Sequence, residues 1–227
     1  IYETLEWGAW ANKEYCHAAM VMSCDENDDL LRPENWSFSE PCTFSQFDPC
    51  LADLPNTTMT IEGTLTLSPD GKLLNIMRFG KYHHALAYEV NVLDHDAPLT
   101  FSHCIRFPAN YSKFMIKYDD VSHKYYSIGT MAYDPDNVST RDYLALLVSR
   151  DLEHWEIARK LYDYRGIDTA HIGFQYVDFE FDGEDILFLC RTALNGAHNY
   201  HDSNYSTFHR IHNFRAMEQA ASKTPLR

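Results

Sequence analysis

The chain of 227 residues carries 19 Lys+Arg against 33 Asp+Glu, a formal net charge of −14, with 45% hydrophobic and 14% aromatic residues. That composition excludes a disordered chain, and its negative field opposes non-specific binding to nucleic acid or anionic membranes, so an anionic substrate would need a local cluster of Arg or Lys. No run approaches the ~20 apolar residues of a membrane-spanning helix, so neither membrane insertion nor a nucleic-acid partner is expected.

From its N-terminus the chain reads as short β-branched and aromatic runs broken by turn residues. It starts at Ile1 with neither an initiator Met nor a signal-peptide layout, which suggests a processed chain or a fragment. Tyr15 to Ser23 and Trp36-Ser37-Phe38 read as two strands of one hairpin. Thr60 to Leu67 turns through Ser68-Pro69-Asp70-Gly71-Lys72 into Leu73 to Phe79, and Ala85 to Val92 leads to Leu99 to Phe107. Lys113 to Tyr118 turns into Tyr125 to Ile128, and Tyr143 to Ser149 leads to Trp155 to Leu161. Phe174 to Phe181 turns through Asp182-Gly183-Glu184-Asp185 into Ile186 to Arg191, and Ser206 to Ile211 leads to Asn213-Phe214-Arg215. The Asp-Gly pairs in these turns suit tight hairpins. Helical periodicity is confined to a short stretch from Phe214 to Ser222.

The repeat is a four-stranded unit that must stack on its neighbours to bury both faces, which predicts an all-β fold, a β-propeller of four-stranded antiparallel blades. Part of a blade occupies 1–56, blades follow at 57–108, 109–165 and 166–215, and a tail covers 216–227. About three and a half blades do not close a ring, so the chain is expected to be the C-terminal part of a six- or seven-bladed propeller. A β-sandwich is the alternative. Six cysteines (Cys16, Cys24, Cys42, Cys50, Cys104, Cys190) show no metal spacing and read mostly as small core residues, with disulfides or ligands as the alternative. Asn35, Asn56, Asn110, Asn137 and Asn204 begin N-x-S/T sequons, more than the one or two that composition predicts, and hint at secretion.

Ser149-Arg150-Asp151-Leu152-Glu153-His154-Trp155 resembles a degenerate Asp box, and Ser23-Cys24-Asp25 with Trp36 falls in the same register; both lack the motif's Gly. With Gly173 to Phe179, Cys190 to Ala193 and Gly196 to Ile211, the chain from about Trp36 to Arg215 resembles the sialidase-like (BNR-repeat) propellers of bacterial carbohydrate-active proteins, whose fold is shared with ulvan lyases. The resemblance implies a glycan substrate, cleavage at an acidic sugar, and an extracellular or periplasmic location. It implies no cofactor, and a monomer is expected.

Arg78 and Arg191 end matching strands and could clamp a carboxylate through bidentate bonds, or pair with acids such as Glu62 and Asp178 as glue between blades. Glu62, on an inner strand before Gly63, could act as a base or orient a nucleophilic Tyr, or form a structural ion pair. Tyr176 and Asp178, two residues apart, are expected on one strand face, where a carboxylate could activate the phenol; a Tyr nucleophile is what the resemblance implies. His83-His84 follow Arg78, and His198, His201 and Asp202 follow Arg191, offering proton transfer near neutral pH, or merely filling loops. His198 and His201 are expected on opposite faces of an extended segment, which argues against a metal. Tyr176, Asp178, Glu62, His198 and His201 are therefore the catalytic candidates; Arg78, His84, Lys113, Gln175, Arg191 and Asn204 are the substrate-binding ones. Trp7, Trp10, Tyr82, Tyr200 and Tyr205 could stack on sugar rings or fill blade interfaces. Three readings stay open: a sialidase-like hydrolase, a lyase acting on uronates by β-elimination, and a non-catalytic glycan-binding propeller.

Overall fold

The computed structural model of the chain describes residues 18–43, 60–79, 83–137 and 139–216. Trp7, Trp10, Cys16, Cys50, Tyr82 and the sequon at Asn56 lie outside the described residues.

Three antiparallel sheets follow one another along the chain. The first is β5 (Thr60–Leu67), β6 (Leu73–Phe79), β7 (His84–Glu89) and β8 (Thr100–Arg106), and the second β9 (Met115–Asp119), β10 (Lys124–Thr130), β11 (Tyr143–Ser149) and β12 (Trp155–Asp163). The third is β13 (Gly173–Asp182), β14 (Asp185–Ala193) and β15 (Tyr205–Ile211). Each is a simple meander in which sequence neighbours pair, as expected of propeller blades. Before them come two-residue strands: β1 (Ala18–Ala19) pairs with β4 (Cys42–Thr43), and β2 (Met22–Ser23) with β3 (Ser37–Phe38). The hairpin turns form where the sequence places them. Gly71 adopts φ 83 while Ser68 Oγ accepts from Lys72 N at 3.0 Å, and Gly183 adopts φ 63.

The blades stack face to face, and the core lies between them. Leu74, Ile76, Ala85 and Phe107 of the first meet Phe114, Ile116, Ala145, Leu147 and Trp155 of the second. The Phe107 ring lies 4.2 Å from Phe114 and 5.1 Å, edge-on, from Trp155. Tyr126, Ile128, Leu144 and Leu146 meet Phe174, Val177, Phe179, Ile186 and Phe188 of the third. Every residue of β11 is buried, because a middle blade is covered on both faces.

In the turn before β12, Ser149 Oγ accepts from Leu152 N at 3.0 Å and Asp151 Oδ1 from His154 N at 2.8 Å. Trp155 then donates from its indole to Leu152 O at 2.7 Å. The earlier turn repeats part of this: Asp25 Oδ1 accepts from Asn27 N, and Trp36 donates to Leu30 O.

Three expectations are corrected. Asn213 to Arg215 is no strand: Asn213 sits at φ 48, its N–H taken by Asp185 Oδ1 at 2.9 Å, and a helical turn over 214–216 buries Phe214 beside Tyr126 and Phe181. The run from Tyr15 is broken within its described part, since Val21 N donates to Ser39 Oγ between β1 and β2. Cys104 is disulfide-bonded rather than a free core thiol.

Candidate active site at two β-bulges

Two blades carry the same irregularity at the same place. In the first, Ile61 pairs with Arg78 and Gly63 with Met77, which leaves Glu62 as an extra residue. In the third, Gln175 pairs with Arg191 and Asp178 with Leu189, and the register slips across Tyr176 and Val177. Glu62 takes φ 57 and Tyr176 φ 53. Left-handed backbone in a non-glycine residue costs on the order of 1–3 kcal/mol, and such strain gathers at functional sites. Gly63 follows its bulge because a Cβ there would lie 1.9 Å from Asn75 Oδ1.

The two side chains are electrostatically coupled. Burial first, and then the charge and hydrogen bonding of Glu62, hold the Tyr176 phenol above its ordinary pKa, while Arg78 and Arg141 pull it down. Arg78 donates from Nη1 to Glu62 Oε2 at 2.7 Å, from Nη2 to Tyr111 O at 2.8 Å and from Nε to Asn110 O at 3.3 Å. Those two carbonyls are themselves fixed, since buried Asn110 donates from Nδ2 to Phe79 O and to His84 O, both at 2.9 Å. Ser112 Oγ, bonded to Thr130 Oγ1 at 2.9 Å, reaches Tyr176 N at 3.5 Å.

Arg141 joins this group and is the residue that the sequence reading missed. It is only 7% exposed, and its backbone is locked to β13 through a bridge to Gly173 and a 2.7 Å bond from Phe174 N to its carbonyl. Burial and then the Arg78 charge push its guanidinium down to about 10, opposed by Tyr200, Tyr176 and Glu62. The two guanidiniums thus share one carboxylate, which leaves a net positive charge at this point. The sequence signal was an Arg-Asp pair immediately before the largely apolar run of β11.

Arg191 reaches the group from the third blade. Its guanidinium lies over the Tyr176 ring, 5.2 Å from the centroid, held by Ser203 Oγ at 3.0 Å and His201 O at 2.6 Å. Gln175, fully buried, supports the same turn by donating to Tyr200 O at 2.7 Å and His201 O at 3.1 Å. His201 stands edge-on to Tyr176 at 6.4 Å, its Nδ1 3.1 Å from Asp202 Oδ1.

Glu62, Arg78, Tyr176, Arg191 and His201 are thus brought together, with Gln175 behind them. Asp178 is not part of the group. The register slip puts it in line with Gln175 rather than Tyr176, exposed, with Oδ1 accepting from its own Phe179 N. His198 is exposed, and Nδ1 meets Asp202 Oδ2 at 3.2 Å; His198 and His201 thus turn to one carboxylate, not to opposite faces as the sequence suggests. Among the described residues no set of three His, Cys, Asp or Glu is placed to hold a metal. Asn204 closes its own loop, through Leu194 N at 3.1 Å and Leu194 O at 2.7 Å. His84 lends its carbonyl to Asn110, and Lys113 stands half-buried after Ser112.

No protein-family model matches the sequence, and no curated protein is significantly similar. Among solved structures, an α-L-arabinofuranosidase from Fusarium graminearum is similar at 9% identity and TM-score 0.44, over 59% of this chain and 40% of that one. A β-1,3-galactosidase of family GH43 is similar at 13% identity and TM-score 0.39, over 69% of this chain and 30% of that one. An exo-β-1,3-galactanase from Clostridium thermocellum gives 12% identity and TM-score 0.39, over 68% of this chain and 34% of that one. The chain therefore spans less than half the length of these proteins.

Proposed function

We propose that this chain carries part of the active site of a sialidase-like glycoside hydrolase acting on an acidic sugar. The observation that carries the reading is the Arg78–Arg141 pair beside Glu62 and Tyr176. The guanidiniums would bind the sugar carboxylate. Because Arg78 is bonded to the same Glu62 that faces Tyr176, the carboxylate and the attacked carbon must be neighbours. That favours a carboxylate borne on the anomeric carbon itself, as in sialic acids, over a uronate.

A neutral phenol suits such a centre, since an anionic nucleophile would be repelled by the substrate carboxylate. Tyr176 Oη bonds the anomeric carbon as the glycosidic C–O bond breaks, and its proton passes to Glu62. The departing oxygen takes a proton from solvent or from an acid outside the described residues. Water then displaces the phenol: Glu62 returns its proton to the Tyr176 oxygen, the water's proton passes to solvent or to the acid that protonated the leaving group, and the free sugar keeps the original anomeric configuration.

The Ser149–Trp155 turn supports an Asp-box reading, and the disulfide at Cys104 supports an oxidising location outside the cytosol. The test uses the full-length protein with an aryl α-ketoside of a sialic acid and its methyl ester. Cleavage of the acid with retained configuration, and much slower cleavage of the ester, is expected. Equal rates on both would overturn the carboxylate seat, an ultraviolet-absorbing unsaturated product would assign a lyase, and binding without turnover would assign a lectin-like propeller.

A further inference from the structure

Arg78 and Arg191 hold equivalent places, each paired across the sheet with the residue just before a bulge. Each also attends to the bulged side chain of its own blade, Arg78 as an ion pair with Glu62 and Arg191 as a cation over the face of the Tyr176 ring. Their remaining bonds differ. Arg78 is seated on carbonyls of the neighbouring blade, whereas Arg191 is bonded to Ser203 Oγ and His201 O of the turn after its own strand.

A residue extruded by a bulge loses the regular cross-strand neighbours that fix a side chain in a ladder. Contacts that replace them for Tyr176 include the Arg191 guanidinium over the ring face and, edge-on, the His201 ring. Both belong to one tethered unit, because Arg191 and Gln175 each donate to the His201 carbonyl. The charged groups that face Tyr176 are Glu62, Arg78 and Arg141 from the first two blades, and Arg191 and His201 from the third.

We infer that Arg191 is a positioning residue rather than half of the carboxylate clamp: it braces the Tyr176 ring so that the hydroxyl stays on Glu62. The inference rests on the reading of Tyr176 as nucleophile, and its planar fork is what matters. Lysine keeps the charge but cannot span Ser203 Oγ and His201 O while holding a planar group over the ring.

The experiment pairs crystal structures with kinetics for wild type, Arg191→Lys and Arg191→Met in the full-length protein, using the aryl α-ketoside. In both variants the Tyr176 ring is expected to leave its single position facing Glu62. kcat falls roughly ten- to a hundredfold, as misplacing a reacting group does, while KM stays within about twofold. The loss is expected to be similar for Lys and Met, because both remove the planar fork whereas only Met removes the charge. An unmoved Tyr176 ring in Arg191→Met overturns the inference. So does a raised KM with kcat unchanged, which would return Arg191 to substrate binding. If wild type cleaves no acidic glycoside, the proposed function fails, yet the position of the Tyr176 ring still decides the role of Arg191. A variant that does not fold is replaced by Ser203→Ala, which removes one tether of the fork and is expected to loosen the ring in the same direction.

Discussion

Glu62 and Tyr176 occupy matching bulges of two different blades, at φ 57 and φ 53, and the Glu62 carboxylate is coupled to the Tyr176 phenol by charge and hydrogen bonding. Neither left-handed residue is a glycine, so the strain is maintained by the packing around it.

Removing either partner should stop chemistry without unfolding the blade. Tyr176→Phe and Glu62→Gln are expected to lower kcat by about 10²–10⁴-fold, the usual weight of a positioned proton-transfer group. Circular dichroism and thermal midpoints should stay close to wild type. Unchanged turnover in Tyr176→Phe would sink the nucleophile assignment.

Arg141 should matter through binding. Arg141→Lys loses the fork that grips a carboxylate, and KM is expected to rise about a hundredfold, on the order of 3 kcal/mol. Titration with the free acidic sugar checks this independently of turnover. A KM equal to wild type would remove Arg141 from the carboxylate seat.

Asp119 ties the end of β9 to Arg215. Burial alone would raise its carboxyl, but hydrogen bonds from Arg215 and Ser122 override it and leave the pKa at about 2, below the ordinary 3.8. A lowered folded-state value means that the stabilisation is complete above pH ~4 and disappears as pH falls through about 2. The 4%-exposed side chain makes this worth at most about 2 kcal/mol. Asp119→Asn should therefore melt lower than wild type at pH 6, with the difference shrinking between pH 4 and pH 2. A pH-independent difference would show that the pair does not carry it.

Gly173 tests the support behind the site. A Cβ there would sit 2.5 Å from Tyr200 O, the carbonyl that Gln175 holds, and 3.1 Å from the Arg141 Cβ. Gly173→Ala is expected to destabilise the protein by about 1–3 kcal/mol, as overpacking does, and to slow turnover by displacing the turn that carries His201. Denaturant melts read the first effect and kcat the second; a variant with wild-type stability would contradict the packing.

The strands were legible because each hairpin carries its own turn chemistry, from Ser68–Lys72 to Asp182–Asp185. The site was legible only as far as single strands go. Glu62, Arg78, Tyr176 and Arg191 stand out as polar residues on apolar inner strands. The partnership of Glu62 with Tyr176 does not, because period-two reasoning puts Asp178 on the face of Tyr176 and one extra residue in the ladder reverses that. Arg141 lies on a connection where no periodicity operates. Its role depends on a bridge to Gly173 in the next blade, which is a long-range contact.

The buried amide of Asn110 belongs to a sequon as well as to the scaffold. Its Nδ2, the atom that would carry a glycan, already donates to Phe79 O and His84 O, and its carbonyl seats Arg78. A sugar attached there during synthesis would strip two carbonyls of their donor and could not fit between the blades. Production in a eukaryotic secretory host would then pit glycosylation against folding, and Asn110→Gln would be no remedy, since the longer amide cannot keep the same seat. Removing the sequon at its third residue is no simple escape either, because Ser112 Oγ is the link to Thr130 and Tyr176; Ser112→Ala would unmark Asn110 only by loosening the backbone of the proposed nucleophile.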